Sequence, residues 1–158
     1  MMNPEDRYDS LIQFWSVMDQ TRDGRWVERP TPLDWRVVKR QMLAESGGNP
    51  DAVSRVGAKG LMQFMDKTWE EWVRNEFGGD PLPRRYVNQF DPEDSIRAAC
   101  DMMAWLLRVW NGDWRKALAS YNWGVGNVQR AVQRWGEQWE DHAPRETRDY
   151  VRRILREG

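Results

Sequence analysis

The stretch FDPEDSIRAACDMMAWLLRVWNG, Phe90 to Gly112, sets apolar residues at helical spacing between a start signal and a stop signal. Asp91-Pro92 caps its beginning, and Asp94 falls in the first turn, where the positive end of the helix dipole favours a carboxylate. Ile96, Ala99, Cys100, Met103, Leu106, Leu107 and Trp110 then line one face, and Asn111-Gly112 ends the run. A stripe of that length belongs to a central core helix.

Working outward, the same period recurs and strand-like alternation is scarce. Tyr8, Leu11, Ile12 and Trp15 predict a first short amphipathic helix, followed by a loop with Gly24 and Pro30. Thr31-Pro32 reads as N-cap and first-turn proline of a second helix that ends at Gly47-Gly48. Trp69, Trp72 and Val73 mark a third, stopped by Gly78-Gly79, and GGDPLPRRYVNQ reads as an irregular connection. Beyond the central helix, Ala117, Leu118 and Tyr121 predict a short helix broken by Gly124 and Gly126. Val128, Ala131, Val132 and Trp135 predict another, and Thr147, Tyr150, Val151 and Ile154 the last. An all-α single domain follows, and 158 residues with 40% apolar content are enough for one core.

Composition narrows function. Lys and Arg total 24 against 25 for Asp and Glu, so the net charge near −1 leaves no footprint for nucleic acid or an anionic membrane. A lone Cys100 and a lone His142, with no HExxH or CxxC, predict neither bridge nor metal, and no cofactor is expected; both residues are assigned to structure. The N-terminal MMNPEDRYDSLIQFW is acidic and polar, unlike an export signal, and no apolar run reaches transmembrane length.

One carboxylate stands out against this background. Val38, Met42 and Glu45 fall at i, i+4 and i+7 of the second helix, which puts Glu45 on its apolar stripe. It also sits in the last turn, where the negative end of the dipole and partial desolvation both disfavour ionisation, as a general acid requires. Gly47, Gly48, Gly57 and Gly60, with Asn49-Pro50 among them, let the chain fold tightly back past the helix end and approach a ligand. The segment lacks the Lys-Ser/Thr pair of a phosphate loop and follows a helix, and Gly124-Val125-Gly126 fails as a dinucleotide fingerprint for the same reason of context.

Four blocks in this order, ESGGNPDAVSRVGAKGLMQFM, FDPEDSIRAACDMMAWLL, ALASYNWGVGNV and ETRDYVRRIL, resemble the signature of the soluble lytic transglycosylase catalytic domain, from about Leu33 to Leu155. The resemblance implies an α-helical fold of the lysozyme-like, goose-type class with a substrate cleft. It implies residues 31–158 as the catalytic domain; residues 1–30, expected as a helix-and-loop extension packed on that domain, and residues 74–89 match nothing in the family. It also implies cleavage of the β-1,4 bond between N-acetylmuramic acid and N-acetylglucosamine in peptidoglycan, without water, to leave 1,6-anhydro ends. In that reading Glu45 is the single catalytic acid and then base. Met62, Gln63 and Met65 match the floor of the cleft, Ser54 a hydroxyl near the scissile sugar, and Tyr121 the phenol that orients the carboxylate. Asn122 matches a further cleft residue, and Glu146 an acid that contacts an N-acetyl group. Most glycosidases need two carboxylates; here the substrate's own 6-hydroxyl is the nucleophile, so one suffices.

Taken singly, Tyr121 also reads as a core tyrosine, Met65 as a gap-filler, Ser54 as a turn former and Glu146 as a first-turn charge. Trp69, Trp72, Trp105 and Trp110 fall on or beside core stripes, which leaves Trp123 in its Gly-flanked turn as the candidate for stacking on a sugar. The arginines of RETRDYVRRILREG read as a solvated face. The sequence departs from the family at Trp123 and Val125, where alanine and proline are usual, and at Asp66, where a proline usually follows the methionine. The expected partner is the glycan strand, with no nucleic acid and no stable membrane insertion. An external substrate without an export signal suggests a bacteriophage protein, either an endolysin or a virion component partnered by virion proteins; the rival is a bacterial enzyme whose signal sequence is missing from this sequence. It would be made in the host cytoplasm and act on extracytoplasmic wall. The alternatives are a hydrolytic muramidase, with Asp51 or Asp66 holding a water, and a catalytically dead wall-binding or tail module.

Overall fold

The structure, a computed structural model, describes residues 3–21, 23–74 and 87–156. The chain divides into two compact units, Met1–Asp101 and Met102–Gly158. As the periodicity predicts, helices dominate.

In the first unit, a 3-10 turn Pro4–Asp6 leads into α1, Asp9–Val17, which buries Ile12 and Trp15. Two strands of three residues follow that the sequence reading does not contain: β1, Met18–Gln20, pairs antiparallel with β2, Trp26–Glu28. Helix α2, Trp35–Ser46, starts later than Thr31-Pro32 predicts. Its N-cap is Asp34, whose carboxylate accepts from Arg36 N at 3.0 Å, satisfying an amide that a first-turn proline at position 32 leaves untouched. Its end is where the glycines predict it, with Gly47 left-handed at φ 65° and its N–H on the Leu43 carbonyl. Lys39 of α2 reaches Asp6 and Asp9, tying α1 to α2.

Helix α3, Asp66–Val73, buries Trp69 and Trp72 and is capped by Arg74. The expected stop at Gly78-Gly79 and most of the connection after it lie outside the described residues. Helix α4, Pro92–Val109, is the long helix predicted, and Asp91 Oδ2 accepts from Asp94 N at 2.9 Å at its start. Ile96, Ala99, Cys100, Met103, Leu106 and Leu107 are all buried; Trp105 and Trp110, expected near the core, are only half-buried. Arg29 is buried with Asp101: its Nη2 donates to Asp101 Oδ1 at 2.8 Å and its Nε to the Trp15 carbonyl at 2.7 Å. Burial disfavours the Arg29 charge, but Asp101, Cys100 and Asp19 outweigh that and hold its pKa above the usual arginine value.

In the second unit, α5, Trp114–Trp123, is capped by Asp113, which accepts from Lys116 N at 3.1 Å. Gly124 turns the chain into α6, Val125–Trp135. A 3-10 segment Gly136–His142, absent from the sequence reading, stacks His142 on Trp135 at 3.9 Å between ring centroids. Last comes α7, Arg145–Leu155, which buries Thr147, Tyr150, Val151 and Ile154, as the spacing predicts.

Candidate active site

Glu45 stands in the last turn of α2, half-buried, one turn beyond Met42, which is fully buried. The chain then reverses. Ser46 Oγ donates to the Met42 carbonyl at 3.3 Å and accepts from Gly48 N at 3.2 Å, and Asn49 Oδ1 accepts from Asp51 N at 3.0 Å. These local bonds satisfy backbone groups that a helix end would otherwise leave open.

Residues 52–64 close into a small braced loop. Isolated antiparallel bridges join Val53 to Lys59 and Lys59 to Phe64, and Gly60 N donates to the Ala52 carbonyl at 2.9 Å. Gln63 holds a left-handed backbone at φ 54°, uncommon for a side-chain residue. Its side-chain amide compensates, donating to the carbonyls of Gly60 at 2.9 Å and Ala52 at 3.2 Å. Ser54 Oγ accepts from Ala58 N at 3.0 Å, so this hydroxyl forms a turn. Met62 is fully buried and its N–H goes to Ser95 Oγ at 3.2 Å, so its side chain belongs to the core; Met65 is exposed. Lys59 pairs with Asp66 at 3.0 Å, and Gln89 Nε2 donates to the Phe64 carbonyl at 3.0 Å and to Asp66 at 3.2 Å. Lys59 first, and then Gln89, hold the Asp66 carboxyl below its usual value. The bracing by Lys59, Gln89 and the buried Ser95 has no signal in spacing, because each partner is distant in sequence or a lone hydroxyl.

Tyr121, Asn122 and Glu146 belong to the second unit. Tyr121 and Asn122 are half-buried near the end of α5, and Asn122 Oδ1 accepts from Thr147 Oγ1 at 2.8 Å. That bond sets α7 beside α5 next to the exposed Glu146, in its first turn. Trp123, expected in a turn, is instead the last residue of α5, and its carbonyl accepts from Asn127 Nδ2 at 2.7 Å. In the second unit, then, Asn122 and Glu146 lie at adjoining helix ends, while in the first unit Glu45 closes the helix that leads in sequence into the braced loop. The chemistry available in the first is the half-buried carboxyl group of Glu45 in the last turn of α2. Among the described residues no cluster of His, Cys, Asp and Glu could hold a metal ion, and no helix is long and apolar enough to cross a membrane.

Residues 29–143 match the model of the Transglycosylase SLT domain. That span covers every predicted site residue except Glu146. The membrane-bound lytic murein transglycosylase D of Escherichia coli is 30% identical over 138 residues, 84% of this chain and 28% of that protein. An inactive mutant of lytic transglycosylase Slt from Pseudomonas aeruginosa aligns at 29% identity with a TM-score of 0.64, over 78% of this chain and 20% of that one. The 70 kDa soluble lytic transglycosylase of Escherichia coli is similar in fold, with a TM-score of 0.70 and 24% identity over 95% of this chain and 23% of that one. The chain therefore spans under a third of the length of these relatives.

Proposed function

Because the chain belongs to the Transglycosylase SLT domain family, we propose that it cleaves the MurNAc-β-1,4-GlcNAc bond of peptidoglycan without water, with Glu45 as its acid and base. The observation that carries this reading is the half-buried Glu45 at the end of α2, directly before the braced loop and inside the family-matched span. The protonated carboxyl group donates to the glycosidic oxygen as the bond to the anomeric carbon breaks. The resulting carboxylate takes the proton of the muramoyl 6-hydroxyl, whose oxygen closes on that carbon. Atoms balance without water, and the carboxyl group returns to its starting state.

A hydrolytic muramidase needs a second carboxylate to hold water. Asp66 already engages Lys59 and Gln89, which speaks against it in that role, while between Asp51 and the single-carboxylate route the reaction products decide. Ser54, Met62, Gln63, Met65, Tyr121, Asn122 and Glu146 are proposed as the supporting substrate residues, with Met62 and Gln63 acting by shaping the loop. Residues 31–158 are proposed as the catalytic domain. The finer part of the proposal is a bacteriophage role; finding the protein in purified virions indicates a virion component, and lysis only with a membrane pore indicates an endolysin.

Mass spectrometry of digested peptidoglycan tests the chemistry, since anhydro products are lighter by one water than hydrolysed ones. Reducing, non-anhydro ends as the main product would overturn the mechanism.

A further inference from the structure

Asp66 takes a position whose backbone a proline would fit. It is the first residue of α3, where a helix has no use for its N–H, and Met65 before it lies extended at φ −72° and ψ 147°, the conformation a following proline demands. A proline would stiffen this joint through its ring. Asp66 supplies a carboxylate in its place, and that carboxylate is held from two sides. Lys59 Nζ pairs with it at 3.0 Å, while Gln89 Nε2 donates to it at 3.2 Å and to the Phe64 carbonyl at 3.0 Å. An exposed ion pair alone holds little, but this one is part of a network. The Phe64 carbonyl also accepts from Lys59 N at 3.0 Å, and Phe64 N donates back to the Lys59 carbonyl at 3.2 Å. The Gln89 main chain closes against Gly60 in the same loop. Lys59 and Gln89 thus each bond to both neighbours of Met65, Phe64 and Asp66, and the Met65 carbonyl itself accepts from Trp69 N at 2.9 Å. Between these anchors the Met65 side chain is 42% exposed. An apolar side chain is displayed on a backbone pinned before and after it.

We infer that Lys59 and Gln89 are positioning residues, the two arms of a clamp on Phe64 and Asp66 that fixes Met65 as a ready-made apolar contact for the glycan strand. A thioether side chain is flexible, so it offers a sugar ring a defined contact only where its own backbone is already held. The clamp does here with side chains what a proline at position 66 would do with its ring. None of its bonds involves a group that transfers a proton, so its effect falls on substrate binding and leaves the chemical step at Glu45 alone. The inference rests on Met65 being one of the substrate residues, as proposed above.

The test uses Lys59→Met and Gln89→Met, each of which removes one arm and keeps an aliphatic stem. In native-state hydrogen exchange the Phe64 amide is expected to exchange at least about tenfold faster in either variant. On soluble glycan strands KM is expected to rise at least about fivefold while kcat stays within about twofold. Lys59→Arg is expected to restore both readouts, and adding Asp66→Pro to Lys59→Met to recover most of the native KM, because the ring then stiffens the joint. Unchanged exchange at Phe64 in both variants overturns the clamp. Faster exchange with an unchanged KM, a loss confined to kcat, or a double variant no better than Lys59→Met overturns its service to the glycan. A native chain that releases no anhydro ends counts against the catalytic reading, and the exchange rates still decide the clamp.

Discussion

The backbone at Gly60 passes so close to Gln89 that a Cβ there would stand 2.0 Å from the Gln89 carbonyl oxygen. Its φ of +82° is also left-handed. Gly60→Ala therefore combines dihedral strain with a backbone clash, for at least about 3 kcal/mol. Gly57 has a φ of +91° and open space around it, so Gly57→Ala is expected to cost only about 1–2 kcal/mol. Thermal melts of the two variants check this; equal losses would show that the close approach carries no energy.

Glu45→Gln keeps the shape of the side chain and removes the transferable proton. A loss of at least about 10³-fold in the release of anhydro ends is expected, with an unchanged circular dichroism spectrum. Turnover within tenfold of the native chain would remove Glu45 from the chemistry.

Gln41, one turn before Glu45 on α2, is fully buried, and neither end of its amide has a partner among the described residues. Replacing an unsatisfied buried amide with an apolar group of similar size removes a desolvation penalty. Gln41→Leu is expected to stabilise the chain by about 1–2 kcal/mol, read as a higher Tm. A lower Tm would mean that the amide is satisfied in solution.

Burial pushes the Cys100 thiol up to about 12 from 9.0, with Arg29 opposing the rise and Asp101 adding to it. Below the unfolded value both states keep the proton and stability does not depend on this group. Between the two values the unfolded chain loses it and the folded chain does not, so stability falls as pH rises, by up to about 1.4 kcal/mol per pH unit. Urea melts at rising alkaline pH should show this slope in the native chain and a shallower one in Cys100→Ala. The native thiol should also resist disulfide reagents until the chain unfolds.

The helices were legible because their causes are local. The stripe from Ile96 to Leu107 and the left-handed Gly47 each follow from residues within a few positions. The start of α2 is ambiguous in the sequence because Thr31-Pro32 and Asp34 offer competing caps three residues apart, and side-chain geometry chooses Asp34. Strands of three residues, such as Met18–Gln20, are too short for alternation to show. At the site, Glu45 could be placed on its half-dry turn from spacing alone. The work of Gln63 could not: it matched a ligand-facing residue, yet its amide braces two carbonyls of its own loop. The partnership of Asn122 with Thr147 depends on how α5 and α7 pack, which no local pattern encodes.

The bonds that residues 52–64 make among themselves join groups close along the chain, Ala52 to Gly60 and Gln63, Ser54 to Ala58, Lys59 to Phe64, whereas Ser95 and Gln89 brace Met62 and Phe64 from 33 and 25 positions away. Closing such short loops takes little chain entropy and is fast, on the order of microseconds or less. The Arg29–Asp101 pair, by contrast, must bring together residues 72 positions apart. The loop after Glu45 can thus close its own short-range bonds without the distant ion pair, while its bracing by Ser95 and Gln89 carries a loop-closure cost of its own.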